Sequence, residues 1–213
     1  RTAELTKLLE NIHRSVNIGL VNELKILADR MQIDIFEVIN AAATKPFGFV
    51  PYYPGPGLGG HCIPIDPHYL TWKAREFGLH TRFIELAAQI NSSMPDFVLS
   101  KISLALNSNS KPLSGSKIHI LGISYKKNVD DIRESPAIVI IKKLLDSNSL
   151  VSYSDPFVPE LSIGPDYSNL SHTDPNIALS LPCDLFVLIT DHDDFPYKKI
   201  VDLSVIVVDT RGR

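Results

Sequence analysis

The sequence has little cysteine, no excess of charge of one sign and no long apolar run. Its 213 residues include two cysteines, Cys62 and Cys183, which favours reduced thiols in a cytoplasmic protein over a disulfide framework. The 21 basic and 24 acidic residues nearly balance, which argues against nucleic acid or an anionic membrane as a partner. No apolar stretch approaches the roughly 18 residues that span a bilayer, and no secretory signal is visible.

A segment rich in glycine and proline surrounds Cys62 and is the most informative part of the chain. From Gly55 to Pro67 it reads GPGLGGHCIPIDP. Glycine lets a backbone pass close to a ligand, and proline stiffens the segment. Cys62 precedes a predicted helix N-terminus, whose partial positive charge can lower the pKa of a thiol. The segment therefore predicts a nucleophile held against a bound substrate.

The first half of the chain is predicted to be helical. Apolar residues recur at helical spacing from about Ala3 to Gln32, and Gly19 in the middle indicates a close approach by another element. Two interpretations stay open: a spine that crosses its copy in a homodimer, or a long helix within one bundle. Further helices are predicted from Asp34 to about Ala43, from Asp66 as N-cap to about Phe77, and from about Phe83 to Leu106 with an interruption at Pro95.

The second half alternates strands with helices, which predicts a doubly wound parallel sheet. A linker-like stretch, 107–115, separates the halves, so we expect a helical domain over 1–110 and an α/β domain over 111–213. Ser135 and Pro136 begin a helix, and Cys183 is expected to fill the core. Strands are predicted at Lys117 to Ile123, Leu150 to Tyr153, Leu185 to Thr190 and Val205 to Val208.

Gly55, Gly57 and Gly60 match the dinucleotide-binding spacing G-x-G-x-x-G, but their context does not. That pattern follows a strand and opens a helix, whereas prolines precede this run and Cys-Ile-Pro follows it. After the first predicted strand only Gly122 is present. We therefore expect no complete dinucleotide fingerprint in these residues.

Several side chains could assist Cys62. Asp66 could act as a base, although an N-cap role would also explain it, and His61 could pair with the thiol. Lys7 and Asn11 share a helix face and could stabilise an oxyanion, or could equally be a solvated surface. Neither cysteine has a partner at ligand spacing, so no metal site is predicted.

Basic residues follow two strands of the predicted sheet. Lys126 and Arg133 lie after the first strand and Arg211 after the last. Ligands bind at the carboxyl ends of the strands in open α/β sheets, and a helix beginning at Ser135 would favour phosphate there. From the residues alone, a phosphate site and an ordinary solvated loop are equally consistent with this composition.

Taken together, these motifs resemble the UDP-glucose/UDP-N-acetylhexosamine dehydrogenase family. The likeness covers nearly the whole chain in the family's order. The matching pieces are Ala3-Glu4 with Lys7-Leu8 and Asn11, Gly57 to Asp66, Tyr125 to Pro136, and Asp209-Thr210-Arg211. The resemblance implies a central helical dimerisation domain followed by a Rossmann-like UDP-binding domain. The family's N-terminal NAD-binding domain is expected to be absent from these residues, so we expect no turnover by this chain alone.

The resemblance also implies roles for individual residues. Cys62 would attack a sugar aldehyde at C6, giving a thiohemiacetal and later a thioester that water hydrolyses. Lys7 and Asn11 would stabilise the oxyanion, and Asp66 would assist the water. The remaining residues would bind ligands: Gly57, Leu58, Gly59 and Gly60 the sugar, Lys126 and Arg211 the UDP-sugar, and Arg133 the NAD cofactor.

One departure from the family pattern concerns the substrate. UDP-glucose members usually have Ser before the cysteine and Lys three residues after it, where this chain has His61 and Ile65. The residues around Cys62 resemble the branch that acts on UDP-N-acetylhexosamines. The resemblance is greatest to enzymes for UDP-N-acetylglucosamine and next greatest to those for UDP-N-acetylmannosamine. UDP-glucose as substrate, a non-catalytic UDP-sugar-binding or dimerisation element, and a thiol hydrolase using Cys62 and a histidine remain alternatives.

Overall fold

Four helices build the first half of the chain. The computed structural model describes residues 2–61, 63–164 and 170–213. The four helices are α1 (Thr2–Met31), α2 (Ile35–Ala43), α3 (Asp66–Glu76) and α4 (Arg82–Ser108). Asp34 caps α2 by accepting a hydrogen bond from the backbone N–H of Phe36 at 2.8 Å, as its position before an apolar run predicts.

Helix α1 packs on α4 through small and polar residues. A Cβ at Gly19 would lie 3.1 Å from Cβ of Ala87, which confirms the close approach expected there. One turn on, buried Asn22 donates from Nδ2 to Oδ1 of Asn91 at 2.8 Å. Ile12 and Val21 are buried as well, but six large apolar side chains of α1 are exposed: Leu5, Leu9, Leu20, Leu24, Leu27 and Met31.

Helix α4 joins the two halves of the molecule. The predicted interruption at Pro95 is wrong, because α4 continues through it. Proline removes one helical hydrogen bond, but the neighbours Asn91, Met94 and Val98 are all buried, and their packing holds the helix together. Beyond Pro95, α4 enters the core of the sheet half through Ile102 and Leu106, so the division at residue 110 stays a prediction.

A five-stranded parallel sheet forms the second half. Its strands run in the spatial order β3-β2-β1-β4-β5, with helices in the connections, which confirms the α/β fold class. The elements are β1 (Lys117–Leu121), α5 (Pro136–Asp146), β2 (Leu150–Ser154), β3 (Ser171–His172), α6 (Pro175–Ala178), β4 (Leu185–Leu188), α7 (Tyr197–Val201) and β5 (Ile206–Asp209). The two-residue β3 was not predicted.

The sheet core is built as its sequence indicates. Ile120 pairs in register with Tyr153 on one side and with Val187 on the other, and all three are buried. Ser135 accepts a hydrogen bond from the N–H of Ala137 at 3.3 Å and so caps α5. Cys183 is half-buried, which agrees with its predicted role in the core. It packs against an apolar cluster of the sheet that consists of Leu121, Phe186, Leu188, Phe195 and Ile200.

Candidate functional site

A cavity of about 540 Å³ lies where the helical half meets the carboxyl ends of the sheet strands. Every predicted site residue that the structure describes lines this cavity, except Asp66, which is bonded to its wall. Cys62 lies outside the described residues, but its neighbours His61 and Ile63 both line the cavity. The lining residues are Lys7, Asn11, Arg14, Ile18, Tyr53, Gly55, Gly57, Leu58, Gly59, Gly60, His61, Ile63, Tyr125, Lys126, Arg133 and Arg211.

One face of α1 forms a wall of the cavity. Lys7, Asn11, Arg14 and Ile18 follow one another at spacings of four, three and four residues, which places them on one stripe of a helix. Lys7 is exposed at the rim, and its Nζ lies 3.4 Å from a carboxylate oxygen of Glu10. Asn11 is buried. The stripe therefore offers cationic and amide donors to whatever occupies the cavity.

Asp66 turns toward Asn11 instead of capping a helix. The predicted N-cap role is wrong, because Ile65 is the N-cap of α3, and Asp66 is its first residue. The carboxylate oxygen Oδ2 of Asp66 accepts a hydrogen bond from Nδ2 of Asn11 at 2.7 Å. This partner lies 55 residues away in sequence, and a buried amide attracts a carboxylate more strongly than water-exposed N–H groups do.

The glycine-rich segment packs tightly against the loop after β1. Gly60 donates its N–H to the carbonyl oxygen of Arg133 at 3.0 Å and has a φ of +86°. A Cβ on Gly59 would lie 2.6 Å from Cβ of Tyr125, so only glycine fits there. Residues 55–60 follow no strand and open no helix, which agrees with rejecting a dinucleotide-binding turn.

A buried amide network fixes the start of this segment. Oδ1 of Asn22 accepts the N–H of Gly55 at 2.9 Å, while Asn22 donates to Asn91, which in turn donates to the carbonyl of Ser15 at 3.0 Å. The network is fully enclosed by α1 and α4. It anchors the glycine-rich segment to the rigid helix pair, so the cavity wall is held in place before any ligand binds.

Arg211 reaches the same wall from the end of the sheet. Its Nε donates to the carbonyl of Ile189 at 2.6 Å, and an Nη atom lies 2.9 Å from the position of a Cβ on Gly55. Burial of the guanidinium lowers the pKa of Arg211. The guanidinium is half-buried, so a phosphate at the cavity would interact with it more strongly than with a fully solvated arginine.

Arg133 is held by a carboxylate within its own loop. Its guanidinium donates from Nε and an Nη atom to Asp131, at 3.0 Å and 2.6 Å. The hydrogen bond from this guanidinium lowers the pKa of Asp131. Arg133 therefore lines the cavity with a charge that its neighbour partly neutralises.

The loop that carries Lys126 is held in place by hydrogen bonds to a buried pair, His192 and Asp155. His192 accepts the N–H of Asn128 on Nδ1 at 2.9 Å, so the proton of its neutral ring lies on Nε2, 3.0 Å from Oδ2 of Asp155. Ser124 donates to the carbonyl of Lys126 at 3.0 Å. Burial raises the pKa of Asp155, but the hydrogen bonds from His192 and a backbone N–H outweigh it and hold that pKa below its usual value.

The sequence reasoning missed several lining residues. Arg14 could have been found, because it lies three residues after Asn11 and seven after Lys7 on the same predicted helix face. Tyr125 belongs to a motif of the family resemblance, which implies no role for it. Tyr53, whose hydroxyl donates to Oδ1 of Asn40 at 2.8 Å, comes from an irregular segment with no periodicity that could reveal it.

Metal binding and membrane insertion depend on the side-chain clusters and the helices of residues 2–61, 63–164 and 170–213. Over these ranges no group of three or more His, Cys, Asp or Glu side chains is arranged to hold a metal ion. None of the helices described there combines the length and the apolarity required to cross a bilayer.

Similarity to known proteins covers both halves of the chain. Residues 1–93 match the central domain of the UDP-glucose/GDP-mannose dehydrogenase family, and residues 119–213 match the UDP binding domain of the same family. An NDP-N-acetyl-D-galactosaminuronic acid dehydrogenase of Ralstonia solanacearum is 35% identical over 100% of this chain and 48% of its own length. A UDP-N-acetyl-D-glucosamine 6-dehydrogenase of Pseudomonas aeruginosa is 37% identical over 74% of this chain and 37% of its own.

Solved structures agree with these sequence matches. A UDP-D-ManNAc dehydrogenase from Pyrococcus horikoshii superposes with a TM-score of 0.81 at 32% identity, covering 99% of this chain and 48% of the other. The chain thus spans about half the length of the first relatives that it matches in full. On the two domain matches and the shared fold, the chain belongs to the UDP-glucose/GDP-mannose dehydrogenase family.

Proposed function

We propose that this chain provides the thiol and the UDP-binding surface of an NAD-dependent UDP-N-acetylhexosamine 6-dehydrogenase, which oxidises the C6 alcohol of the sugar to a carboxylate. One observation carries the proposal. A single cavity is lined by the donors of α1, by both neighbours of Cys62, and by Lys126 and Arg211 from the sheet. A sugar nucleotide needs this combination, because its reacting carbon and its phosphates lie at opposite ends of one molecule.

The chain's own chemistry begins with the aldehyde of the half-oxidised sugar. The Cys62 thiolate adds to C6, forming a C–S bond, and the carbonyl oxygen takes up a proton to give a thiohemiacetal. The second amide hydrogen of Asn11 is free for that oxygen, since the first is bonded to Asp66. The Lys7 ammonium at the rim adds positive charge.

Hydrolysis returns the thiol after the second oxidation. Water attacks the thioester carbon, Asp66 takes one proton from that water, and the C–S bond breaks to release the Cys62 thiolate and the sugar acid. The acid then loses its remaining proton to solvent and becomes the carboxylate. Asn11 holds the carboxylate of Asp66 in one orientation at 2.7 Å, which leaves its other oxygen to face the water.

NAD⁺ is the oxidant that the family implies, and two molecules of it would each accept one hydride. The described residues do not fit a dinucleotide by themselves, because the strand-to-helix turn after β1 carries only Gly122. A Cβ there would lie 2.2 Å from the carbonyl oxygen of Thr190, so this glycine serves chain packing. Arg133 lines the cavity and is the one residue here proposed to touch the cofactor.

Two further parts of the proposal concern the assembly and its location. The exposed apolar stripe of α1, which includes Leu20, Leu24, Leu27 and Met31, supports a homodimer through this helix, because such a contiguous apolar surface is usually covered. The two sparse cysteines, which favour reduced thiols, support a cytoplasmic location.

Alkylation of the two cysteines tests the proposal. The purified chain is treated with iodoacetamide, and the rate at each cysteine is read by mass spectrometry, with and without UDP-N-acetylglucosamine. We expect the ligand to slow alkylation of Cys62 at least about tenfold. Cys183 is the internal control: its Sγ donates to the carbonyls of Lys117 and Leu185 at 3.2 and 3.1 Å, and burial raises the pKa of its thiol.

The outcome that contradicts the proposal is equally direct. If calorimetry detects no binding of UDP or of UDP-N-acetylglucosamine, the cavity is not a sugar-nucleotide site. If the ligand binds but Cys62 reacts at its original rate, the thiol does not face the sugar. As an additional check, NAD⁺ and UDP-N-acetylglucosamine together should produce no NADH with this chain alone.

A further inference from the structure

Arg14 is a cationic side chain on the cavity wall that no proposed step uses. It belongs to the same stripe of α1 as Asn11 and Ile18. Of the three arginines that line the cavity, Arg211 is bonded to a backbone carbonyl and Arg133 to Asp131. Among the described residues, no hydrogen bond or ion pair engages the guanidinium of Arg14. It therefore has its full set of donors available to a ligand.

The position of Arg14 along α1 places it near C2 of a bound sugar. Asn11 and Asp66 mark the place of C6, and Lys126 and Arg211 mark that of the phosphates on C1. In a pyranose ring, C2 lies across from C5, the atom that carries C6. Arg14 follows Asn11 by three residues, which is a rise of about 4.5 Å along α1. With Asn11 placed at C6, this offset brings the Arg14 side chain within reach of the far side of the ring.

Ile18, the neighbour of Arg14 on the same face of α1, further restricts which chemical group this wall can bind. Ile18 is four residues on and also lines the cavity, so the wall presents a cation with N–H donors beside an apolar side chain. An acetamido group has the complementary pair, a carbonyl oxygen that accepts and a methyl group that is apolar. A hydroxyl at C2 would use the donor but would leave Ile18 without a partner.

We propose that Arg14, with Ile18 beside it, recognises the 2-acetamido group and thereby selects UDP-N-acetylhexosamines over UDP-hexoses. This inference rests on the proposed function, since it assumes that a UDP-sugar occupies the cavity. Arg14 acts as a specificity residue: it binds the acetamido carbonyl and takes no part in the oxidation or in hydrolysis of the thioester.

Binding measurements with the intact chain test the inference without any cofactor. Calorimetry is performed with UDP, UDP-glucose, UDP-N-acetylglucosamine and UDP-glucosamine, on the original protein and on Arg14→Met, which keeps length and removes donors. We expect Arg14→Met to weaken UDP-N-acetylglucosamine about tenfold or more, to weaken UDP-glucose less, and to leave UDP unchanged. UDP-glucosamine, whose amine is protonated near pH 6, should instead bind more tightly once the repelling arginine is removed.

Two further variants keep the result interpretable. Arg14→Lys should restore part of the preference for the acetamido sugar, because it keeps a donor and the charge. Arg30→Met is the matched control, because Arg30 is an exposed arginine near the end of α1. The Arg30→Met protein should bind all four ligands as the original protein does.

The outcomes separate this inference from the proposed function. If Arg14→Met weakens all four ligands equally, Arg14 serves the phosphates and the inference is wrong. If the original protein binds UDP-glucose and UDP-N-acetylglucosamine equally well, the inference is also wrong while the proposed sugar-nucleotide site stands. If the original protein binds neither UDP nor any UDP-sugar, the proposed function fails and takes the inference with it.

Discussion

Asn11 and Asp66 are joined by a hydrogen bond of 2.7 Å from Nδ2 to Oδ2, which ties the buried face of α1 to the first turn of α3. The carboxylate thereby lies at a helix N-terminus, where negative charge is favoured, and its position is fixed by a side chain that is 2% exposed. The first residue of α3 is in this way held against the wall of the cavity, because the amide that binds it lines that cavity.

Replacing Asn11 with alanine should therefore lower the stability of the chain. We expect Asn11→Ala to reduce the free energy of unfolding by about 1.5 to 3 kcal/mol, because the hydrogen bond is to a charged group and is shielded from water. Urea unfolding followed by circular dichroism measures this change.

Asn17→Ala is the control for that measurement. Asn17 lies on the same helix, and its Nδ2 donates to the carbonyl of His13 at an exposed position, so its loss should cost less than about 0.5 kcal/mol. Equal destabilisation by the two variants would mean that the bond between Asn11 and Asp66 contributes nothing special.

Gly59 should tolerate no side chain, for steric reasons. A Cβ there would lie 2.6 Å from Cβ of Tyr125 and 2.9 Å from the carbonyl oxygen of Glu134, so the two loops that form the cavity would be forced apart. We expect Gly59→Ala to weaken UDP-sugar binding about tenfold or more in calorimetry. Gly78→Ala is the control, since Gly78 has open space around it and only a φ of +71°.

The two glycine variants should differ in kind. Gly78→Ala forces an L-residue into the left-handed region, which costs about 1 to 2 kcal/mol of stability, and should leave the affinity for UDP-sugar unchanged. Unaltered ligand affinity in Gly59→Ala would show that the loops can separate without loss of the cavity.

Much of the architecture follows from the sequence because it depends on local signals. The cap formed by Ser135 and Pro136, the apolar strands and the helical period all act over a few residues, and the corresponding elements are present with bounds shifted by one or two residues, as in β1 (Lys117–Leu121). The predicted site residues that the structure describes, apart from Asp66, also line one cavity, since strand ends and helix faces restrict where side chains can go.

What could not be predicted depends on partners far away in sequence. The spacing of the leucines of α1 indicates an apolar face but not which side is buried; the buried side is set by Asn22 meeting Asn91, 69 residues later. The same holds for Asp66, whose partner Asn11 overrides an N-cap role. Strand β3, of only two exposed residues, has no apolar pattern and is defined by pairing with β2 alone.

Asp155 should be essential to the loop that carries Lys126. Its two oxygens accept hydrogen bonds from four backbone N–H groups and from His192. In Asp155→Asn one oxygen becomes an N–H₂ donor facing other donors, which should cost about 3 kcal/mol of unfolding free energy. Hydrogen exchange should quicken over residues 123–128, and affinity for UDP should fall.

A conservative exchange elsewhere provides the comparison. Asp174 is the N-cap of α6 and accepts from the N–H of Asn176 at 2.9 Å at an exposed site. Asparagine caps a helix about as well, so Asp174→Asn should change stability by less than about 0.5 kcal/mol. If Asp155→Asn leaves exchange over 123–128 as slow as in the original protein, the buried pair does not hold that loop.

The exposed apolar stripe of α1, which includes Leu20, Leu24, Leu27 and Met31, predicts a dimer. A single charge introduced into this stripe should disrupt that dimer. Leu24 is 40% exposed in the isolated chain, at the centre of the stripe. We expect Leu24→Glu to weaken self-association at least about tenfold in sedimentation velocity, because a buried charge without a partner opposes the contact. Leu79→Glu, at an exposed leucine outside α1, should leave the dimer intact. A monomeric original protein would contradict the proposed assembly.

His119 should make stability depend on pH within a defined window. Burial, with a smaller contribution from His172, lowers the pKa of His119 from 6.5 to about 4. Between these values the unfolded chain binds a proton that the folded chain does not, so the stabilisation is complete above 6.5 and is lost as the pH falls toward 4. The loss should approach about 3 kcal/mol. Urea unfolding at several pH values between these limits measures it.

The His119→Gln variant identifies the source of that slope. Glutamine can still bond to Ser152 and Ser154, which hold the two ring nitrogens at 2.7 and 2.8 Å, but it does not titrate. We expect this variant to be less stable near neutral pH and to lose much less on acidification to about 4. His80→Gln, at an exposed position, should retain the original slope. Parallel curves for His119→Gln and the original protein would mean that other groups cause the acid sensitivity.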